Sequence, residues 1–328
     1  LSVDLGISAF SKDTQNDFVV DRWLVKDWLP QRDDFSHKGI FGKVMVAGGS
    51  ANYPGAPVLA GKGAYAVGTG LVQVAVPQSI AYAGMANALE LTWLILEDGG
   101  GIISELAVET LLAGMSNCDC LVLGPGIGRE ETTRRFIQSL IYLPTSQEEK
   151  AAGFPGVSRK MIRKISSPLP SLVLDADALA HLATDKNWYE KLQASCVLTP
   201  HPGEMALLTR LKVEEIQANR LEIARECSRL WGQVVVLKGA LSVVASPSGQ
   251  VGVVPVASSA LAKAGTGDVL AGMIGGLIAQ GLSPWKAALC GTWLHAQAGL
   301  AAAAQAGCSE SVLASTVLNA VPEVFRKL

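Results

Sequence analysis

Six short aliphatic runs constrain the fold of this chain more than any other feature. They are "GKVMVAGG" (42–49), "GLVQVAVP" (70–77), "CDCLVLGPG" (118–126), "SLVLDAD" (171–177), "SCVLTP" (195–200) and "QVVVLKG" (233–239). Their near-continuous apolar character is that of strands buried on both faces. Most lead into a stretch of helical period, as at 56–68, 130–141 and 214–231. This alternation predicts an α/β fold with a mostly parallel central sheet and helices on both faces. Ligands in such folds bind beyond the carboxyl ends of the strands, and the unusual residues of this chain fall there. The last third differs. "SVVASPSGQVGVVPV" (242–256) reads as a hairpin turning at Ser246–Gln250, and three helices are expected after residue 266. Residues 143–168 read as a polar loop plus one amphipathic helix. Residues 1–35 read as an N-terminal arm ahead of one domain spanning 36–328.

Composition excludes several function classes. Of 328 residues, 49% are hydrophobic, enough for a large core. The net charge of -2, with no Lys/Arg blocks, argues against nucleic acid or an anionic membrane surface as partner. No apolar segment reaches the roughly 20 uninterrupted residues of a membrane span, and no signal-peptide pattern precedes the first charges. Cysteines at 118, 120, 196, 227, 290 and 308 form no Cys-x-x-Cys, which suits buried thiols in a reducing cytoplasm. Cys118 and Cys120 are expected inside a strand, with their side chains on one face.

Two apparent phosphate motifs fail. "GAPVLAGKG" (55–63) places Gly63 where a P-loop needs Ser or Thr, and "GPGIG" (124–128) lacks the spacing of a dinucleotide fingerprint. Other clusters at strand ends remain. Around Ala56, "GGSANYPGAPVLAGKGA" (48–64) starts a helix after glycines, offering either free amides to a ligand or a tight turn. The glycines of "LGPGIG" (123–128), Gly126 among them, admit close approach of a ligand to backbone. In "LDADAL" (174–179), Asp177 is a candidate helix cap, and Asp175 a candidate for orienting a loop or a metal-bound water. In "LTPHPGEMALL" (198–208), two prolines stiffen the backbone around His201, and Glu204 falls in a first helical turn. His295, on an Ala-rich helix, reads as packed. Lys238, ending a strand before Gly239, suits a phosphate, with a surface ion pair as the plainer alternative.

The densest motif is "AGTGDVLAGMIGGLIAQG" (264–281). Gly265, Thr266 and Gly267 would leave backbone amides converging on an anion, with Asp268 beside them as a proton acceptor. Asp268 as a plain helix cap is the competing account. Gly272, Gly275 and Gly276 read as sites of close helix packing.

Together these motifs resemble the ADP-dependent NAD(P)H-hydrate dehydratases, a branch of the ribokinase-like superfamily. The resemblance runs from about residue 37 to the C-terminus and keeps the family's order of motifs. It implies a ribokinase-like, three-layer α/β/α fold. It also implies a reaction in which a nucleotide, ADP or ATP, phosphorylates the ring hydroxyl of hydrated NADH or NADPH, after which phosphate is eliminated. Under it Asp268 is the base, and Ala56, Gly126 and His201 line the hydrated-coenzyme site. Lys238, Gly239, Ala240, Leu241 and Ser242, with Gly265, Thr266 and Gly267, hold the nucleotide, and Mg²⁺ neutralises its phosphates. Members commonly form tetramers, so a homo-oligomer is expected. "VDLGIS" (3–8) is similar to the tail of the epimerase domain that precedes this module in bifunctional members, which would account for a first residue other than Met.

Two alternatives stand beside this reading. A superfamily kinase of a vitamin precursor or sugar would carry Asp-Thr-x-Gly-Ala-Gly-Asp, and here Ala262 and Lys263 replace its first two residues. A non-catalytic nucleotide-binding module would not need Asp268, His201 and Lys238 together.

Overall fold

The computed structural model describes residues 17–142 and 169–328, so the expected elements at 143–168 and the segment 3–8 lie outside the described residues. Strands in chain order are β1 (Asp17–Val19), β2 (Lys43–Ala47), β3 (Leu71–Pro77), β4 (Thr92–Leu96), β5 (Asp98–Gly99) and β6 (Ile102–Ile103), then β7 (Cys120–Leu123), β8 (Ser171–Leu174), β9 (Cys196–Leu198), β10 (Val234–Leu237), β11 (Val243–Ala245) and β12 (Val251–Val253). Helices are α1 (Arg22–Trp28), α2 (Ala56–Ala66), α3 (Gln78–Asn87), α4 (Ala107–Gly114), α5 (Glu131–Ile141) and α6 (Asp177–Leu182), then α7 (Pro202–Thr209), α8 (Val213–Ala218), α9 (Arg220–Trp231), α10 (Thr266–Ala279), α11 (Pro284–Ala306) and α12 (Ala314–Lys327).

Ten strands form one sheet in the order β1-β12-β11-β10-β9-β8-β7-β2-β3-β4. From β10 to β4 every pairing is parallel, while β11 runs antiparallel to both β10 and β12. The hairpin expected at 242–256 is therefore present. Alternation along β2 builds the two cores. Val44 and Val46 pack toward α2, α10 and α11, and Met45 and Ala47 toward α4, α5 and α6. Helices thus cover both faces of the sheet, the three-layer α/β/α arrangement expected from the apolar runs.

Differences from the sequence reading have local causes. The expected helix 214–231 is two helices, broken where Asn219 leaves the helical region at φ -132°, with its side chain donating to the Glu215 carbonyl. The run 118–126 supplies a strand only from Cys120 to Leu123, since Gly124 leaves the ladder at φ +120°. Cys118 precedes that strand, and its thiol donates to the Cys120 carbonyl at 3.0 Å. All six cysteines are free. Part of the expected N-terminal arm is woven into the domain. Strand β1 pairs in parallel with β12, and Asp17 accepts two bonds, at 2.9 and 2.8 Å, from the buried Arg225 of α9. No described helix is long and apolar enough to cross a membrane.

The chain runs outward from β2 through β3 to β4, then returns to β2's other side as β7 and continues outward through β8 and β9. The gap between β2 and β7 is therefore a topological switch point, where the carboxyl ends of parallel strands open a crevice.

Candidate active site

The walls of that crevice are glycines. After β2 the Gly49 amide donates to the carbonyl of Pro125, after β7, at 2.8 Å. A Cβ on Gly48 would lie 2.3 Å from the same oxygen, so only glycine lets the two loops touch. Gly126 sits at φ +62°, and a Cβ there would fall 2.7 Å from Tyr53 Cβ and 2.9 Å from Ala56 Cβ. Gly126 and Ala56, far apart in sequence, are thus neighbours. Ala56 opens α2 behind Gly55, which provides no capping side chain, so first-turn amides remain free for a ligand.

A polar cluster lies along the same edge, at the ends of β8, β9 and β10. Lys238 Nζ donates to Asp175 Oδ1 at 2.7 Å, and the same oxygen accepts from Thr199 Oγ1 at 2.7 Å. Glu204 Oε2 lies 3.7 Å from Lys238 Nζ and accepts from the His201 amide at 2.8 Å. Burial alone would depress the Lys238 ammonium, but Asp175, Glu204 and Asp268 outweigh it and hold it above its ordinary value. His201 closes the N-terminus of α7, its Nδ1 accepting from the Gly203 and Glu204 amides at 3.0 and 3.2 Å. A ring accepting at Nδ1 carries its proton on Nε2, which lies 3.3 Å from Glu204 Oε1. These bonds to the α7 amides and Glu204 orient the ring, whose side chain is 55% exposed.

Asp268 stands in the first turn of α10 as its third residue, not as the cap; the cap position is Gly265, at φ +91°. No side chain satisfies that turn; the Thr266 amide donates to the Lys263 carbonyl at 3.3 Å, which leaves those of Gly267 and Asp268 to meet an anion. The Thr266 hydroxyl is turned inward to the Leu261 and Lys263 carbonyls, both at 2.8 Å, and holds the loop rather than facing the crevice. Gly267 faces Lys238 and Asp175, a Cβ there lying 3.4 Å from Nζ and 3.9 Å from Asp175 Oδ2. Burial, reinforced by the negative charge of Asp175 and partly offset by Lys238, pushes Asp268 up to about 7. A carboxylate with that value near neutral pH suits proton abstraction better than salt bridging. The later glycines do pack: a Cβ on Gly272 would lie 1.8 Å from the Ala60 carbonyl of α2.

Segment Lys238–Ser242 turns sharply, with Gly239 at φ +140° and Leu241 at φ +54°. Ser242 Oγ donates to the Gly239 carbonyl at 2.9 Å. Arg220, unremarkable in the sequence, braces this turn by donating from Nη2 to the Leu237 and Lys238 carbonyls at 2.9 and 3.2 Å. The structure also changes the reading of Asp177. It is not a cap: α6 has no side-chain cap bond, and the Asp177 carboxylate instead accepts from the Gly128 amide at 3.2 Å and from Arg129 Nε at 2.8 Å. His295 is buried, as expected, and desolvation lowers it to about 4. Among the described residues no three His, Cys, Asp or Glu side chains converge as a metal cage.

Comparison with known proteins identifies the family to which the chain belongs. Residues 44–323 match a family described as NAD(P)H-hydrate dehydratase. An ADP-dependent (S)-NAD(P)H-hydrate dehydratase of Neisseria meningitidis is 35% identical over 292 residues, 88% of this chain and 86% of that protein. A bifunctional NAD(P)H-hydrate repair enzyme of Moorella thermoacetica is 39% identical over 312 residues, 94% of this chain. The chain spans only 54% of that protein, about half the length of such bifunctional relatives. Among solved structures, an ADP/ATP-dependent NAD(P)H-hydrate dehydratase of Bacillus subtilis, co-crystallised with ATP and Mg²⁺, superposes with a TM-score of 0.71 at 27% identity. That match covers 92% of this chain and 95% of the other.

Proposed function

Because the chain belongs to the NAD(P)H-hydrate dehydratase family, we propose that it restores hydrated NADH or NADPH to the reduced coenzyme at the expense of a nucleotide. The observation that carries this reading is Asp268, a desolvated carboxylate pushed up to about 7 beside the uncapped N-terminus of α10 and the ammonium of Lys238. Base, anion cradle and cation are neighbours on one edge of the sheet, as phosphoryl transfer to a hydroxyl requires.

In this reading Ala56, Gly126 and His201 receive the hydrated nicotinamide, and Lys238–Ser242 with Gly267 receive the nucleotide. Asp268 takes the proton of the ring hydroxyl as its oxygen attacks the terminal phosphorus. The α10 amides and Lys238 stabilise the negative charge on the transferring group, and the nucleotide leaves with one phosphate fewer. The ring nitrogen then expels phosphate, a proton leaves the neighbouring carbon, and the double bond is restored. With no side-chain cage among the described residues, Mg²⁺ would be held mainly through the nucleotide phosphates, with Asp175 and Glu204 the carboxylates that pair with Lys238. Its chemistry there is neutralisation of phosphate charge.

Incubation with hydrated NADH, ADP or ATP, and Mg²⁺ tests the reading. Regain of reduced-nicotinamide absorbance that depends on nucleotide supports it; a stable phosphorylated product without regain would select a small-molecule kinase instead. The pH dependence is a second expected outcome. Asp268 acts only when ionised, so kcat should rise with pH and level off above an apparent pKa of about 7. A profile flat from pH 5 to 8 would contradict its role (a window bracketing that value).

A further inference from the structure

Arg129 follows the last glycine of the turn after β7 and is mounted in a way that neither stability nor the proton transfer above requires. Its Nε donates to Asp177 Oδ1 at 2.8 Å, while Asp177 Oδ2 accepts from the neighbouring Gly128 amide at 3.2 Å. The Asp177 side chain is mostly buried, 16% exposed, whereas that of Arg129 is 66% exposed. One well-placed carboxylate therefore fixes the base of the guanidinium, and neither terminal amino group makes a hydrogen bond to a described residue. An exposed pair of this kind contributes little to folding. What it does provide is a cationic fork whose side-chain entropy is already lost before any ligand arrives.

The position of the fork indicates its ligand. Arg129 interacts electrostatically with Tyr53, in the loop after β2, and with Glu204 on α7. It projects from the same turn as Gly126, three residues earlier, whose backbone packs against Tyr53 and Ala56. The nucleotide segment Lys238–Ser242 has its own cation in Lys238. A planar guanidinium with two free amino groups matches the oxygens of a phosphate. Hydrated NADH and NADPH both carry a diphosphate one ribose away from the reacting ring, and hydrated NADPH adds a 2′-phosphate.

We propose that Arg129, held by Asp177, is a substrate-binding residue that grips a phosphate group of the hydrated dinucleotide. This assignment rests on the dehydratase reading above. Its test compares wild type, Arg129→Gln and Arg129→Lys with hydrated NADH and hydrated NADPH at saturating nucleotide. Arg129→Gln is expected to raise the coenzyme KM roughly ten- to hundred-fold, the worth of a lost charge-assisted contact, with kcat and nucleotide KM little changed. Arg129→Lys should recover part of the loss, since lysine keeps the charge without the fork. A rise with both coenzymes assigns the diphosphate; a rise with hydrated NADPH alone assigns the 2′-phosphate. Unchanged coenzyme KM, or a loss confined to nucleotide KM or to kcat, would overturn the proposal. Titration with unhydrated NADPH, followed by its fluorescence, reads the same contact without turnover. If wild type fails to convert hydrated coenzyme, the dehydratase reading falls, while equal NADPH affinity in wild type and Arg129→Gln sinks the Arg129 assignment independently.

Discussion

Asp268→Asn is expected to lower kcat by roughly 10²–10⁴-fold, the usual contribution of a positioned general base, while ADP and ATP still bind. The substitution keeps the shape of the side chain and removes its ability to take a proton. Two carboxylates of the cluster already hold other partners. Asp175 Oδ1 is engaged by Lys238 and Thr199, and Glu204 Oε2 by the His201 amide. The same variant should be more stable than wild type above pH 7. The ordinary carboxylate value of 3.8 is raised to about 7 in the fold, so the folded state disfavours the ionised form. The neutral Asp268 is therefore fully accommodated below pH 3.8, and stability is lost as pH rises from there through about 7. An uncharged Asn escapes that loss, worth on the order of 4 kcal/mol for a rise from 3.8 to about 7. Thermal unfolding at two pH values, with isothermal titration by nucleotide, separates the catalytic effect from the structural one. Near-wild-type turnover would remove Asp268 from the mechanism.

Lys238→Met is the second large effect, acting on both chemistry and stability. Its ammonium is 2.7 Å from Asp175 Oδ1 and 3.7 Å from Glu204 Oε2, so the pair with Asp175 dominates. Both carboxylates are buried, and removing the cation leaves them without a counter-charge. Breaking a buried pair in this way costs about 3–5 kcal/mol, which should appear as a large fall in Tm. Loss of a cation facing the transferring phosphoryl group should lower kcat by about 10²–10³-fold. The pH profile adds a sign that general destabilisation would not produce. Lys238 holds the Asp268 carboxyl down against burial, so its removal should move the rising limb of kcat to higher pH. Lys238→Arg keeps the charge and should leave that limb near its original position. A Lys238→Met enzyme with an unmoved limb would mean that the two groups do not share one site.

The parallel body of the sheet was legible in the sequence because strands buried on both faces read as unbroken aliphatic runs. Strand β4 was not, since it lies at an edge where Thr92 and Ile95 are exposed. Strand β1, of three residues, is too short to show a pattern, and it is fixed by Arg225, more than two hundred residues away. Gly126, Ala56, His201, Lys238 and Asp268 stood out because each sits in a local motif at a strand end, and the fold gathers those ends at one edge. Residues that act only through distant partners left no such trace. Arg220 looks like any helical arginine until it meets the β10 carbonyls. Asp177 reads as a helix cap until its carboxylate is found on Gly128 and Arg129. Thr266 stands beside two glycines in a motif read for its backbone amides, and only the structure shows that its amide and hydroxyl both bond the loop carbonyls behind it.

The central claim is that a phosphate arrives at the Asp268 crevice and leaves from the same substrate. Its most direct test measures inorganic phosphate and reduced coenzyme together during turnover of hydrated NADH with ADP or ATP. The account predicts that the two appear one for one, and that both slow together by the same large factor with Asp268→Asn. Reduced coenzyme regained without nucleotide consumption, or nucleotide consumed while a phosphorylated product accumulates, would contradict it.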